Sequence, residues 1–131
     1  MKKRSLFAAA TLILSMVALV GCSGAMKVTF TNHTPATVEA EVVTQGHVSP
    51  VQIGDIPPGE HRVKRFEFDK EMLQAEPKFS ITVDGGTPGA VTKVITIPQE
   101  PYKKLHVDIE SDSDRGTVII VTDPSGRPVM D

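Results

Sequence analysis

Asp108, Glu110, Asp112 and Asp114 stand at alternate positions ahead of Gly116. A loop that offers a carboxylate at every second residue can wrap a calcium ion, which takes roughly six to eight oxygens. Such a loop also needs its sharp-turn glycine at the sixth place and a bidentate glutamate at the twelfth. Counted from Glu110, the glycine arrives one place late and Val121 stands where the glutamate belongs. The run is therefore expected to be a hairpin, with Asp and Ser in the turn and Gly116 at positive φ. Asp108, Glu110, Asp112 and Asp114 remain the alternative set, for a metal- or small-ligand-binding domain. His33, His47, His61 and His106 show neither His-x-His nor His-x-x-x-His spacing, so a zinc or copper site would need them to converge in space. There is no Gly-x-Ser-x-Gly elbow and no glycine-rich phosphate loop between strand and helix. Neither catalysis nor a cofactor is expected.

The single cysteine, Cys22, excludes a disulfide framework or a cysteine-based zinc cluster within one chain. It closes a polarised N-terminal segment. Met1-Lys2-Lys3-Arg4 is positive, and Leu6 to Val20 then runs without a charge into Gly21-Cys22. A basic start, a short apolar run and small residues at its end mark a secretory signal. The run falls short of the roughly 20 apolar residues of a spanning helix. Leu19-Val20-Gly21-Cys22 resembles the lipobox of bacterial lipoproteins. That resemblance implies a diacylglyceryl group on the Cys22 sulfur, cleavage ahead of Cys22 by signal peptidase II, and a third acyl chain on the mature protein. Two or three chains, at about 0.8 kcal/mol per buried methylene, anchor firmly where one holds only marginally. Ser23 in place of Asp after the cysteine resembles the outer-membrane sorting signal of enterobacteria-like organisms. In a Gram-negative cell the expected address is the periplasmic face of the outer membrane.

The chain of 131 residues carries 14 basic and 16 acidic side chains. Cleavage before Cys22 removes Lys2, Lys3 and Arg4 and no acid, which leaves 11 basic against 16 acidic and a charge of −5. A domain of that charge has no evident electrostatic reason to bind nucleic acid or anionic lipid.

Beyond the tether, residues 22–25, the dominant signal is period two. Met26, Val28 and Phe30 alternate with Lys27, Thr29 and Thr31, and Val38, Ala40 and Val42 alternate with Glu39 and Glu41. Phe79, Ile81 and Val83 form a third alternation, and Leu105, Val107 and Ile109 a fourth. Val51 to Ile56 and Val91 to Pro98 are further strands, with Lys93 toward a rim. In His61 to Phe68, Val63 falls out of phase with Phe66 and Phe68, which predicts a bulge near Lys64-Arg65. Gly116 to Thr122 is continuously apolar, the pattern of a central strand covered on both faces. Asp69 is the expected N-cap of one helical turn, Phe68 and Leu73 its staple, and Pro77 its stop. With Phe30, Phe66, Phe68 and Phe79 inside, Tyr102 is the one ring expected at the surface.

Seven or eight short strands with almost no helix predict an all-β protein, an antiparallel β-sandwich of immunoglobulin-like size. Residues 1–21 are read as signal peptide, 22–25 as lipidated cysteine and tether, and 26–131 as the sandwich. The expected function is that of a cell-envelope lipoprotein, a non-catalytic accessory or protein-interaction module. Its expected partners are the bilayer, through acyl chains on Cys22, and another envelope protein, with no nucleic acid. The basic cluster Arg62, Lys64 and Arg65 suits a protected edge strand. Protein contact is therefore expected at the loops Asp84 to Gly89 or Ser111 to Gly116 rather than by strand addition at residues 61–68.

Overall fold

Alternating apolar residues separated by prolines build two facing sheets. A computed structural model describes residues 24–46, 49–85 and 89–129. Its elements are β1 (Gly24–Asn32), β2 (Val38–Thr44), β3 (Val51–Ile56), β4 (His61–Phe68), α1 (Lys70–Gln74), β5 (Lys78–Asp84), β6 (Ala90–Thr96), β7 (Lys104–Asp112) and β8 (Gly116–Thr122). Sheet I has the order β4-β1-β7-β8 and sheet II the order β3-β2-β5-β6. The fold is the expected β-sandwich. Its pairs are antiparallel except that of β1 with β7, which run parallel in the middle of sheet I.

The chain passes from one sheet to the other at proline-containing segments: Asn32 to Pro35, Pro57-Pro58-Gly59, α1 to Pro77, and Pro98 to Pro101. Proline has no amide hydrogen for a ladder, so a strand that meets one stops pairing and the chain is free to cross. Proline alone does not select a crossing, since the β2–β3 and β5–β6 hairpin segments contain Pro50 and Pro88. Asp69 caps α1 as expected, its Oδ1 accepting from the Met72 amide at 2.8 Å. Phe68 and Leu73 on either side are both buried. The turn closes on Glu76 at φ 48°, a left-handed conformation taken here by a residue other than glycine.

Between the sheets lie the inward halves of the four alternations, including Met26, Phe30, Val42, Ile81 and Ile109, all inaccessible to solvent. Phe66 of β4 meets Phe79 of β5 edge to face, with centroids 4.9 Å apart and rings at 82°. This aromatic contact joins the two sheets directly. Tyr102 is half-buried and packs against the core rather than standing free as expected, because the Pro98–Pro101 crossing carries it back over the sandwich.

Two strands depart from their sequence pattern. β4 pairs with β1 without interruption from Gly24↔Phe68 to Thr31↔His61, so no bulge lies at Lys64-Arg65. Val63 faces outward, half-exposed, while Arg62 and Lys64 take the inward parity of Phe66 and Phe68. β4 is an edge strand, and inward-pointing charge at an edge discourages pairing with another chain. The bulge lies instead between β2 and β3, where Ala40 pairs with Gly54 and Glu41 with Gln52, leaving Ile53 as the extra residue beside Gly54 at φ 93°. β8 is an edge strand as well, not a central one. Ile119 and Val121 face the core, while Val118 and Ile120 lie on the outer face across from Glu110 and Asp108. The residues after β8 fold back on it: Thr122 bridges Pro128, and the Val129 amide donates to the Val121 carbonyl at 2.8 Å.

Candidate functional site

The strands run along one axis, which gives the sandwich two ends. Gly24, Phe68, α1 and Pro101 share the end where the chain enters β1; a Cβ on Gly24 would stand 2.7 Å from Pro101 Cγ and 3.4 Å from Leu73 Cδ1. Asn32, Ile56, Asp84 and Gly116 belong to the opposite end. The lipobox residues Leu19, Val20, Gly21 and Cys22, and also His47, lie outside the described residues.

At the far end a buried polar knot holds two crossings together. Asn32 Nδ2 donates to the Ile56 and Ala36 carbonyls, each at 2.8 Å. Its Oδ1 accepts from the Thr34 amide at 2.8 Å and from the Thr34 hydroxyl at 2.7 Å. The Asn32 main chain adds bonds to Gly59 and Glu60. Asn32 thereby ties the β1–β2 crossing to the β3–β4 crossing with every side-chain polar atom satisfied. It reads as architecture rather than chemistry.

The acidic run is laid out along β7 and its turn. Asp108 and Glu110 sit on the outer face of sheet I, and Asp108 Oδ1 is 2.9 Å from His33 Nε2. Asp112 caps the turn into β8: its Oδ1 accepts from the Asp114 and Arg115 amides at 2.8 and 3.2 Å, and its Oδ2 lies 3.3 Å from Arg115 Nη2. Asp114 is exposed beyond it, and Gly116 takes φ 79° as expected for the hairpin. His61 and His106 lie on separate strands of the same outer face, with β1 between them. Among the described residues no three His, Cys, Asp or Glu side chains form a metal-holding group. Residues 86–88 of the expected contact loop Asp84 to Gly89 lie outside the described residues; its Gly85 neighbours the start of β8 at the far end, where an added Cβ would meet Val38 Cγ1 at 3.2 Å and Thr117 Oγ1 at 3.3 Å.

Turn-capping carboxylates have a measurable signature. The amide hydrogen bonds from Asp114 and Arg115 hold the Asp112 carboxyl below its ordinary range. The Ser125 hydroxyl and the Arg127 amide do the same for Asp123. A carboxyl depressed in the folded state adds stability above its unfolded-state value, and that contribution is lost as pH falls through the folded value. The melting temperature is therefore expected to drop as pH goes below about 4. Asp112→Asn/Asp123→Asn should flatten that part of the pH profile, measured by circular dichroism.

The side-chain pattern that sequence order conceals is on the outer faces. Lys27 of β1 is flanked directly by Arg65 of β4 and by Lys104 of β7, and all three are exposed. On sheet II, at the other end, Glu39 of β2 is flanked by Asp55 of β3 and Asp84 of β5, also exposed. No family model matches the chain, and no curated protein matches it by sequence. What the molecule itself offers is a sandwich with a basic row beside its entry strand and an acidic row at its far end. Among the described residues no helix is long and apolar enough to cross a membrane.

An open groove of about 410 Å³ runs between the β3 and β4 edges, with Val51, Phe66 and Phe68 apolar and Lys64 and Arg65 at its lip. Thr44 and Glu67 complete its lining.

Proposed function

We propose that this chain is a lipid-anchored protein of the bacterial cell envelope, a β-sandwich held by acylated Cys22 and acting as a non-catalytic interaction module. The observation that carries the proposal is the sequence Leu19-Val20-Gly21-Cys22 after a basic start and an apolar run. The position of β1 supports it. The strand begins at Gly24, two residues beyond Cys22, so a lipidated cysteine would leave almost no free chain between bilayer and fold. In this reading the loops at Asp84 and Asp112, at the end away from Gly24, face a partner protein across the envelope space.

Cys22→Ser is the test. The variant should accumulate as the uncleaved precursor and take up no labelled palmitate, as should the wild type treated with globomycin. A variant that is cleaved and released normally would contradict the proposal.

A further inference from the structure

The row Arg65–Lys27–Lys104 has no structural rationale. Neighbouring strands lie about 4.8 Å apart, so three cationic stems are gathered within about 10 Å. Like charges directly opposite one another weaken a sheet. Glu67 offsets one of the three, its Oε1 lying 3.5 Å from Arg65 Nε. Among the described residues Lys27 and Lys104 make no ion pair. Exposed Lys103 extends the row, its carbonyl accepting from the Lys27 amide at 2.9 Å. The next row along the same face holds half-exposed Val63, with Thr29 and His106.

Place and polarity name the ligand. Lys27 is three residues from Gly24 and five from Cys22, a distance of at most about 17 Å in extended chain. The opposing row, Asp55–Glu39–Asp84, lies at the other end and on the other sheet. The two rows separate charge along the domain, while α1 and the Pro98–Pro101 crossing also bring exposed Asp69, Glu71, Glu76 and Glu100 to the Gly24 end. An anionic surface at the Gly24 end attracts the near row and repels the far one.

We infer that Lys27, Arg65 and Lys104, with Lys103, form a docking surface for the anionic phospholipid headgroups of the membrane that anchors Cys22. Docking sets the Gly24 end of sheet I, where this row lies, against the bilayer and turns the Asp84 and Asp112 loops away from it. The inference rests on the proposed anchor, which supplies the proximity. Each basic residue brought to an anionic surface favours the docked state by about fivefold, and the attraction is screened over about 8 Å at physiological salt.

The test uses the full chain, extracted from bacterial membranes and reconstituted in phosphatidylcholine vesicles with or without phosphatidylglycerol. Acylation blocks the Cys22 thiol, so a nitroxide can be placed at Val63→Cys, beside the row, or at Thr92→Cys, on the outer face of sheet II. Phosphatidylglycerol should cut collisions of the nitroxide at 63 with an aqueous nickel chelate about threefold and leave position 92 unchanged. High salt should restore them, and Lys27→Gln/Lys104→Gln should abolish the effect while circular dichroism shows the sandwich intact. An acylated protein whose position 63 ignores phosphatidylglycerol would overturn the docking surface and leave the anchor standing. Intact mass on the same sample separates the other failure, since an unacylated protein removes the anchor and the docking with it.

Discussion

Phe79→Ala is expected to lower the free energy of unfolding by about 4 kcal/mol. Phe79 is completely buried, and its ring is the sheet II half of the edge-to-face contact with Phe66. Truncation removes the transfer free energy of the ring and leaves a cavity between two sheets whose backbones are fixed by their own ladders, so collapse can refill little of it. Loss of the aromatic pair adds about 1 kcal/mol at most. Urea unfolding followed by circular dichroism measures the change. A cost below about 1.5 kcal/mol, the range of a volume-conserving swap, would mean that Phe79 does not fill the space between the sheets.

Asn32→Ala is expected to cost about 3 kcal/mol for a different reason. The Asn32 side chain is wholly buried and makes four hydrogen bonds. Alanine leaves the Ile56 carbonyl and the Thr34 amide without those partners in a place where water is scarce, and each unsatisfied group costs on the order of 1–3 kcal/mol. Thr34→Val, which removes one hydroxyl and keeps the Asn32 donors in place, should cost about 1 kcal/mol. Equal effects for the two variants would show that Asn32 is not the hub of the crossing.

The sequence carries much of this fold because period-two alternation has one physical cause. A strand with one covered face must bury every second side chain, so Met26, Val28 and Phe30 announce both the strand and its inward side. The same holds for Phe79, Ile81 and Val83 and for Leu105, Val107 and Ile109, all completely buried. Edge and centre are harder to tell apart, because they depend on which distant strand lies alongside. β8 is rich in β-branched residues on both faces and reads as central, yet it ends sheet I, and the Pro128–Val129 return covers part of its edge. The bulge was legible at a different place from the one its phase suggested. Gly54 interrupts β3, and a glycine within a strand is a common bulge mark. At Val63 the broken phase reflects charged residues at inward positions of an edge.

The candidate site divides in the same way. The proposal at Cys22 rests on local order alone, on the residues Leu19, Val20 and Gly21 that adjoin it. Lys27, Arg65 and Lys104 are scattered along the chain and become neighbours through one antiparallel and one parallel register. The charge of −5 pointed away from anionic lipid. Pairing registers separate the charges that the total had averaged, and that separation supplies the electrostatic reason composition lacked.

The central claim is the anchor, and the mass of the mature N-terminus tests it most directly. The protein would be isolated from the membranes of its bacterial host in detergent and its N-terminal peptide analysed by mass spectrometry. The account predicts that this peptide begins at Cys22 and carries a diacylglyceryl group on sulfur, with a further acyl chain on the amine. A mature protein that begins elsewhere, or begins at Cys22 with an unmodified thiol, would contradict it.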